Sequence, residues 1–182
     1  MSIEISPPTA DDAAGLAACA AVTFPLACPT DSRPEDIQAH IRTQLSAERF
    51  AELVDRPGHT SLCISDGARI GGWSMIVVGE PVDADVSTAM SATPAVELSK
   101  FYVHPDLHGR GAASKLMTAT LDLAAESGIA HVWLGVNQEN ARAIRFYEKS
   151  GFRRVGTKRF RLGDRYEDDF ILERPLSVTP PV

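Results

Sequence analysis

The chain has 182 residues, 44% of them hydrophobic and 23% charged, with a net charge of −6. That size and balance suit one domain, residues 1–182, with an ordinary hydrophobic core. Both fractions sit near globular averages; with no run of eighteen apolar residues and no basic-then-apolar leader after Met1, a cytoplasmic protein without a membrane partner is expected.

Ile3-Glu4-Ile5 reads as a short strand ended by Pro7-Pro8. Asp11-Asp12 then open an Ala/Leu-rich helix running to about Val22. Pro25, Pro29 and Pro34 mark a loop, and residues 35–54 read as polar helix broken near Ser46. Residues 61–65 and 70–78 alternate as strands around Asp66-Gly67, a hairpin signal. Residues 80–94 have two prolines and no clear period, and read as a loop. Residues 95–103 form a strand closed by His104-Pro105.

Ala113, Leu116, Met117, Thr120, Leu121 and Ala124 then recur at helical steps, with Gly128 as the stop. Residues 129–136 are nearly continuously apolar, the pattern of a buried parallel strand. Asn140 caps a helix ending at Ser150-Gly151. Strands at 152–161 and 166–173 meet at Gly163-Asp164, and residues 175–182 read as a frayed tail. This order predicts an α/β fold with a mixed sheet flanked by helices, without a regular βαβ repeat.

Chemistry concentrates where the strand ending at Val103 meets the helix starting near Ala113. Between them, Gly109 and Gly111 let the backbone approach an anion, and the helix start adds unpaired N–H groups and partial positive charge. The same turn also reads as an ordinary strand-to-helix connection. Two other phosphate motifs fail here: Ser114 and Leu116 miss the Walker A pattern around Lys115, and Ser114 replaces the third glycine of a dinucleotide fingerprint. His104 and His108 share helical metal spacing, but Pro105 and Gly109 break the helix and no carboxylate pair completes the set. Cys19, Cys28 and Cys63 are odd in number and lack Cys-x-x-Cys spacing, so neither a metal site nor a disulfide framework is expected. Between residues 141 and 165 nine basic side chains face only Glu148 and Asp164, which suits a polyanionic ligand on one side of an otherwise acidic chain. That acidic remainder argues against nucleic acid.

Val103-x-Pro105 followed by Gly109-Arg110-Gly111-x-Ala113 resembles the acetyl-CoA pyrophosphate loop of the GNAT superfamily of N-acetyltransferases. Histidine stands at position 108, where the family usually has Gln or Arg. Residues 136–152, with Asn140, Ala141, Tyr147 and Gly151-Phe152, resemble the family's second signature. The resemblance covers residues 95–173. It implies a mostly antiparallel sheet with a central parallel strand pair, and acetyl transfer from acetyl-CoA to an amine by direct attack on the thioester. The acceptor would be a small molecule, a protein N-terminus or a lysine, and the protein a monomer or homodimer.

By that resemblance Phe101, Tyr102 and Val103 would pair with the pantetheine arm. His108, Gly109, Arg110, Gly111, Ala112 and Ala113 would hold the pyrophosphate, and Asn140 would sit near the thioester. Arg110, Lys115 or Arg142 could meet the outer phosphates. Tyr147 would be the general acid for the leaving thiolate, or a core residue beside Ile144 and Phe146. Some relatives carry a glutamate where this chain has Gly135, within Leu134-Gly135-Val136. Glu97 is therefore the candidate base, or the holder of a structural salt bridge, with His104 and His131 as weaker candidates. Residues 25–54 and 80–94 are the candidate acceptor loops. The rival function is a catalytically silent acyl-CoA-binding module on the same fold.

Overall fold

The computed structural model describes residues 3–65 and 69–177. Seven strands form one sheet in the order β1-β2-β3-β4-β5-β7-β6. They are β1 (Glu4–Ser6), β2 (His59–Ser65), β3 (Ile70–Gly79), β4 (Ala95–Val103), β5 (His131–Asn137), β6 (Arg153–Leu162) and β7 (Arg165–Pro175). All pairings are antiparallel except β4 with β5. The mixed, mostly antiparallel sheet with a central parallel pair is thus observed. The expected Asp66-Gly67 turn lies outside the described residues.

Helices α1 (Ala13–Thr23), α2 (Pro34–Gln44) and α3 (Ala47–Val54) cover one face. Pro34 takes the first position of α2, where its missing N–H costs nothing. The Ser46 hydroxyl accepts from Arg49 N–H at 3.3 Å and starts α3, so the break expected near Ser46 is a helix cap. The stretch Ala10–Ala27 is long and apolar enough by composition to cross a bilayer, yet Leu16, Cys19 and Ala20 on its inner side pack with Phe50 and Trp73 in the core. On the other face lie α5 (Ala112–Ala125) and α6 (Ala141–Lys149). There Met117, Leu121 and Ala124 meet Val96, Leu98, Val132, Leu134 and Leu172. The strand period of two sends alternate residues to the two cores: Phe170 and Leu172 to one, Ile171 to the other.

Residues 80–94 are not the featureless loop that the sequence suggests. They contain α4 (Ala84–Ala89), capped by Asp83, whose Oδ1 accepts from Asp85 N–H. Val86 and Met90 pack against Trp133 and Ile171. The segment lines neither cavity of the site described below. The polar anchor of this segment is Glu173, which is fully buried. Its carboxylate accepts from the Ser91 amide at 2.8 Å and the Ser91 hydroxyl at 2.6 Å, and faces Arg153 and His131. The fraying expected from residue 175 is not seen at Pro175 or Leu176, and residues 178–182 lie outside the described residues. Pro175 pairs with His131, and Leu176 N–H donates to Ala130 O at 2.7 Å.

Burial alone would raise the Glu173 carboxyl, but the two Ser91 hydrogen bonds, His131 and Arg153 outweigh it and hold the group below its ordinary 4.5. A depressed folded value stabilises the fold above the unfolded value, and that contribution is lost as pH falls through the folded one. Glu173→Gln is therefore expected to cost about 1–3 kcal/mol at pH 7, with the difference from wild type shrinking at pH 3. Denaturant unfolding at both pH values checks this, and an equal deficit at both would contradict it.

Candidate active site

The parallel pairing of β4 and β5 is confined to Val96 with Val132 and Glu97 with Trp133. Beyond it the strands part. β4 has a bulge against β3, where Met75 pairs with Lys100 but Ile76 with Leu98, so Ser99 has no counterpart. A bulge bends a strand and increases its twist. From Leu98 onward β4 has no strand partner on the β5 side, and two cavities open beside and through the gap. Ala27, Phe101, Asn140, Ala143 and Tyr147 line both, so the cavities meet there.

The first cavity, about 460 Å³, lies between the end of β4, the start of α5 and α6. Gly109 and Gly111 both have φ of +75°, and a Cβ at either would meet nothing within 4 Å. Lys115 supplies the first N–H bonded to the Gly111 carbonyl, at 3.0 Å. The N–H groups of Ala112, Ala113 and Ser114 precede it in the first turn and have no helical carbonyl to receive them. This is an open cradle of donors at a positive helix end.

His108 is turned back onto the protein. Its Nε2 lies 2.9 Å from Val103 O, and Arg142 Nη2 lies 2.8 Å from its Nδ1. The same Arg142 nitrogen lies 2.6 Å from Nε2, so the guanidinium sits across both ring nitrogens. The histidine therefore ties the cradle to the end of β4 and holds Arg142 at the rim. Asn140 Oδ1 accepts from Ala143 N–H at 3.1 Å and caps α6 as expected.

Phe101, Val103, His108, Gly109, Gly111, Ala113, Asn140 and Tyr147 all line this first cavity. Four other predicted residues do not. Ala112 has no exposed surface and packs its methyl group with Leu107 and Leu116, leaving only its backbone N–H for a ligand. Arg110 follows a left-handed glycine and lies in a separate depression with Ile3 and Ile64. Tyr102 lines the second cavity instead. Glu97 precedes the point where the strands part and lines neither, although it is close enough to Lys100 to favour that residue's charge. Of the candidate phosphate cations, Arg142 alone lines the first cavity; Lys115 is exposed outside it.

Tyr147 packs edge-on against Phe101, Phe146 and Phe152, with ring centroids 5.6–6.3 Å away. Burial pushes its phenol above the ordinary tyrosine value of 10.0, so the hydroxyl stays protonated. The residue lines both cavities where they meet.

The second cavity, about 220 Å³, holds Cys28 from the candidate acceptor loop and three groups the sequence did not single out: Lys100, Glu167 and Asp169. Asp169 and Glu167 alternate with Ile171 along β7 and so share its inward face. Burial pushes Asp169 up to about 6; Lys158 opposes the shift, and Asp168 and Glu167 add to it. Burial also raises Cys28 to about 11, with Glu167 adding to it, and depresses the Lys100 ammonium. The available signal was the period of two in Glu167-x-Asp169-x-Ile171, which puts carboxylates on a face that is otherwise buried.

Gly111→Val places a β-branched side chain in a left-handed conformation and fills the cradle. It is expected to cost about 1–2 kcal/mol of stability and to weaken acetyl-CoA binding at least tenfold. Gly128, with φ of +74° and open space around it, is the control: Gly128→Val should cost similar stability and leave binding unchanged. Calorimetric titration of both variants checks this, and equal affinities would remove the cradle from the site.

Residues 25–152 match the acetyltransferase (GNAT) family. An uncharacterized N-acetyltransferase of Mycobacterium tuberculosis is 46% identical over 165 residues, covering 91% of this chain and 98% of that protein. The ribosomal protein bS18-alanine N-acetyltransferase of Escherichia coli is 33% identical over 78 residues, 42% of this chain and 53% of that protein. Among solved structures, the PaiA N-acetyltransferase of Thermoplasma acidophilum in complex with coenzyme A superposes with a TM-score of 0.77 at 22% identity, covering 96% of this chain and 99% of that one. With the family match spanning most of the chain and the mycobacterial relative covered almost end to end, this protein belongs to the GNAT family of acetyltransferases.

Proposed function

We propose that the protein transfers the acetyl group of acetyl-CoA to a primary amine by direct attack of the amine on the thioester. The observation that carries this reading is the meeting of the two cavities at Phe101, Asn140 and Tyr147. One has donors suited to a pyrophosphate, and the other has carboxylates suited to a cation. The Thermoplasma protein of the same fold is in complex with coenzyme A, which supports a ligand of that class for this chain.

In this reading the N–H groups of Ala112, Ala113 and Ser114 bind the pyrophosphate, with Gly109 and Gly111 allowing close approach. Arg142, held by His108, adds charge at the rim. The free edge of β4 at residues 101–103 offers backbone groups to the pantetheine amides, as an added strand would use them. The Val103 carbonyl is shared with His108. Acetyl-CoA supplies an activated acyl carbon, and holding it beside the amine provides much of the acceleration. Tyr147 then gives its proton to the departing thiolate. The E. coli relative acts on an alanine of a ribosomal protein. For this chain the acceptor class is an amine, whether of a small molecule, a protein N-terminus or a lysine.

Thiol release from acetyl-CoA across a panel of amines tests the reading. Wild type should turn over with at least one amine. Tyr147→Phe keeps the ring and should lower kcat by about 10- to 1000-fold, with little change in acetyl-CoA affinity. An unchanged kcat would remove the general acid. Acetyl-CoA binding without thiol release from any amine would favour a silent binding module.

A further inference from the structure

Gly135 leaves an opening in the sheet. It sits on β5 directly after the region where the strands part, and a Cβ there would lie 3.3 Å from Asp169 Oδ2. The space that a side chain at residue 135 would fill is thus reached from the next strand by the carboxylate of Asp169. Asp169 is 8% exposed and Glu167 9% exposed, and both line the second cavity. Glu167 Oε1 is buried with no hydrogen-bond partner among the described residues. A buried carboxylate oxygen without a donor carries a desolvation cost that a cationic N–H ligand removes. The same cavity includes Asn140 and Tyr147, which border the first.

We propose that Asp169 is the base that removes a proton from the acceptor, and that Glu167 first binds that acceptor as an ammonium ion in the cavity over Gly135. This rests on the acetyl-transfer reading above and adds the second half of the site to it. The acceptor enters charged, R–NH3+, and one N–H proton passes to the Asp169 carboxylate. The freed nitrogen lone pair forms the bond to the acyl carbon as the C–S pair leaves on sulfur. The nitrogen's second proton returns to the phenolate that Tyr147 becomes on protonating the thiolate, so the products are amide, CoA thiol and one proton lost from Asp169 to solvent.

The surroundings suit a base. A carboxyl raised from 3.8 to about 6 is about a hundredfold stronger as a proton acceptor than an ordinary aspartate, yet remains ionised at neutral pH. Several charged or titratable groups lie around it. Glu167 and Asp168 come from its own strand, Lys158 from β6 and Lys100 from β4. Cys28 comes from the segment after α1. His40 on α2 stacks on Phe24 at 4.4 Å and is itself held below 6.5, by burial and then by Lys100. Lys158 is partly engaged by Asp83 at 3.7 Å, and Lys100 by the Ser99 carbonyl at 3.4 Å. Neither lysine completes Glu167.

The test uses the full chain, acetyl-CoA and an amine identified by thiol release, with kcat and KM measured from pH 5 to 9. Wild-type kcat/KM should rise with pH through about 6 as Asp169 ionises. Asp169→Asn should lower kcat about 100-fold and abolish that limb, leaving a rate that climbs steadily with the fraction of free amine. Acetyl-CoA affinity should stay within a factor of about two, as the first cavity is intact. Glu167→Gln should raise the amine KM about tenfold or more, with a much smaller effect on kcat. Glu4→Gln, an exposed carboxylate on β1 outside both cavities, is the control and should match wild type. Should Asp169→Asn fold poorly, Asp169→Ala with added formate gives a second reading, since restoration of rate by a free carboxylate marks a lost base. A wild-type kcat and acid limb in Asp169→Asn, or transfer of that phenotype to Glu97→Gln or a His40 variant, would overturn the proposal while acetyl transfer stands. Failure of wild type to release thiol would overturn both.

Discussion

The two halves of the sheet are joined by very little parallel ladder: Val96 with Val132, and Glu97 with Trp133. On one side of that join the strands belong to a hydrogen-bonded sheet, and on the other they part around a gap. Extending the ladder by a few residues would satisfy more backbone groups and close the site. The bulge at Ser99 and the diverging direction of β5 prevent this. The apolar packing of Val96, Leu98, Val132 and Leu134 against α5 holds the join together. Everything with chemical character lies just beyond it: the free edge of β4, the start of α5, the cap of α6 and the carboxylates of β7.

The gap also separates charge. On the α5–α6 side stand unpaired N–H groups and Arg142, a setting for an anion. On the α1–α3 side stand Glu167 and Asp169, with Lys100 depressed by burial. The uneven charge along the sequence foreshadowed this division only loosely. Most basic residues between 141 and 165 remain on the surface, and Arg142 is the one of them that lines the first cavity. What matters is the placement of a few groups relative to the split, more than the excess of positive charge.

Much of the first cavity was legible because its signals are local. The strand at residues 95–103 matches β4, the glycines at 109 and 111 adopt the left-handed backbone that the turn requires, and Asn140 caps α6. Less legible was the direction of individual side chains within the turn. A left-handed glycine on either side sends Arg110 outward, while Ala112 points into the core. Helix α4 was missed because its six residues depend on distant partners, with Ser91 held by Glu173 and Val86 packed against Trp133. Asp169 was missed for a related reason. The period of two along β7 puts it on a buried face, but what that face opens onto depends on the missing side chain at Gly135 on a neighbouring strand.

Amide hydrogen exchange with and without acetyl-CoA tests most directly whether the split between β4 and β5 is the cofactor site. Saturating acetyl-CoA should slow exchange at Ala112, Ala113 and Ser114, and along residues 101–103, where backbone N–H groups gain a ligand in place of water. Strands β1 and β2, on the far side of the sheet, should be unaffected beyond any global stabilisation. Slowing confined to other elements, or no slowing at these residues under saturation, would contradict the account.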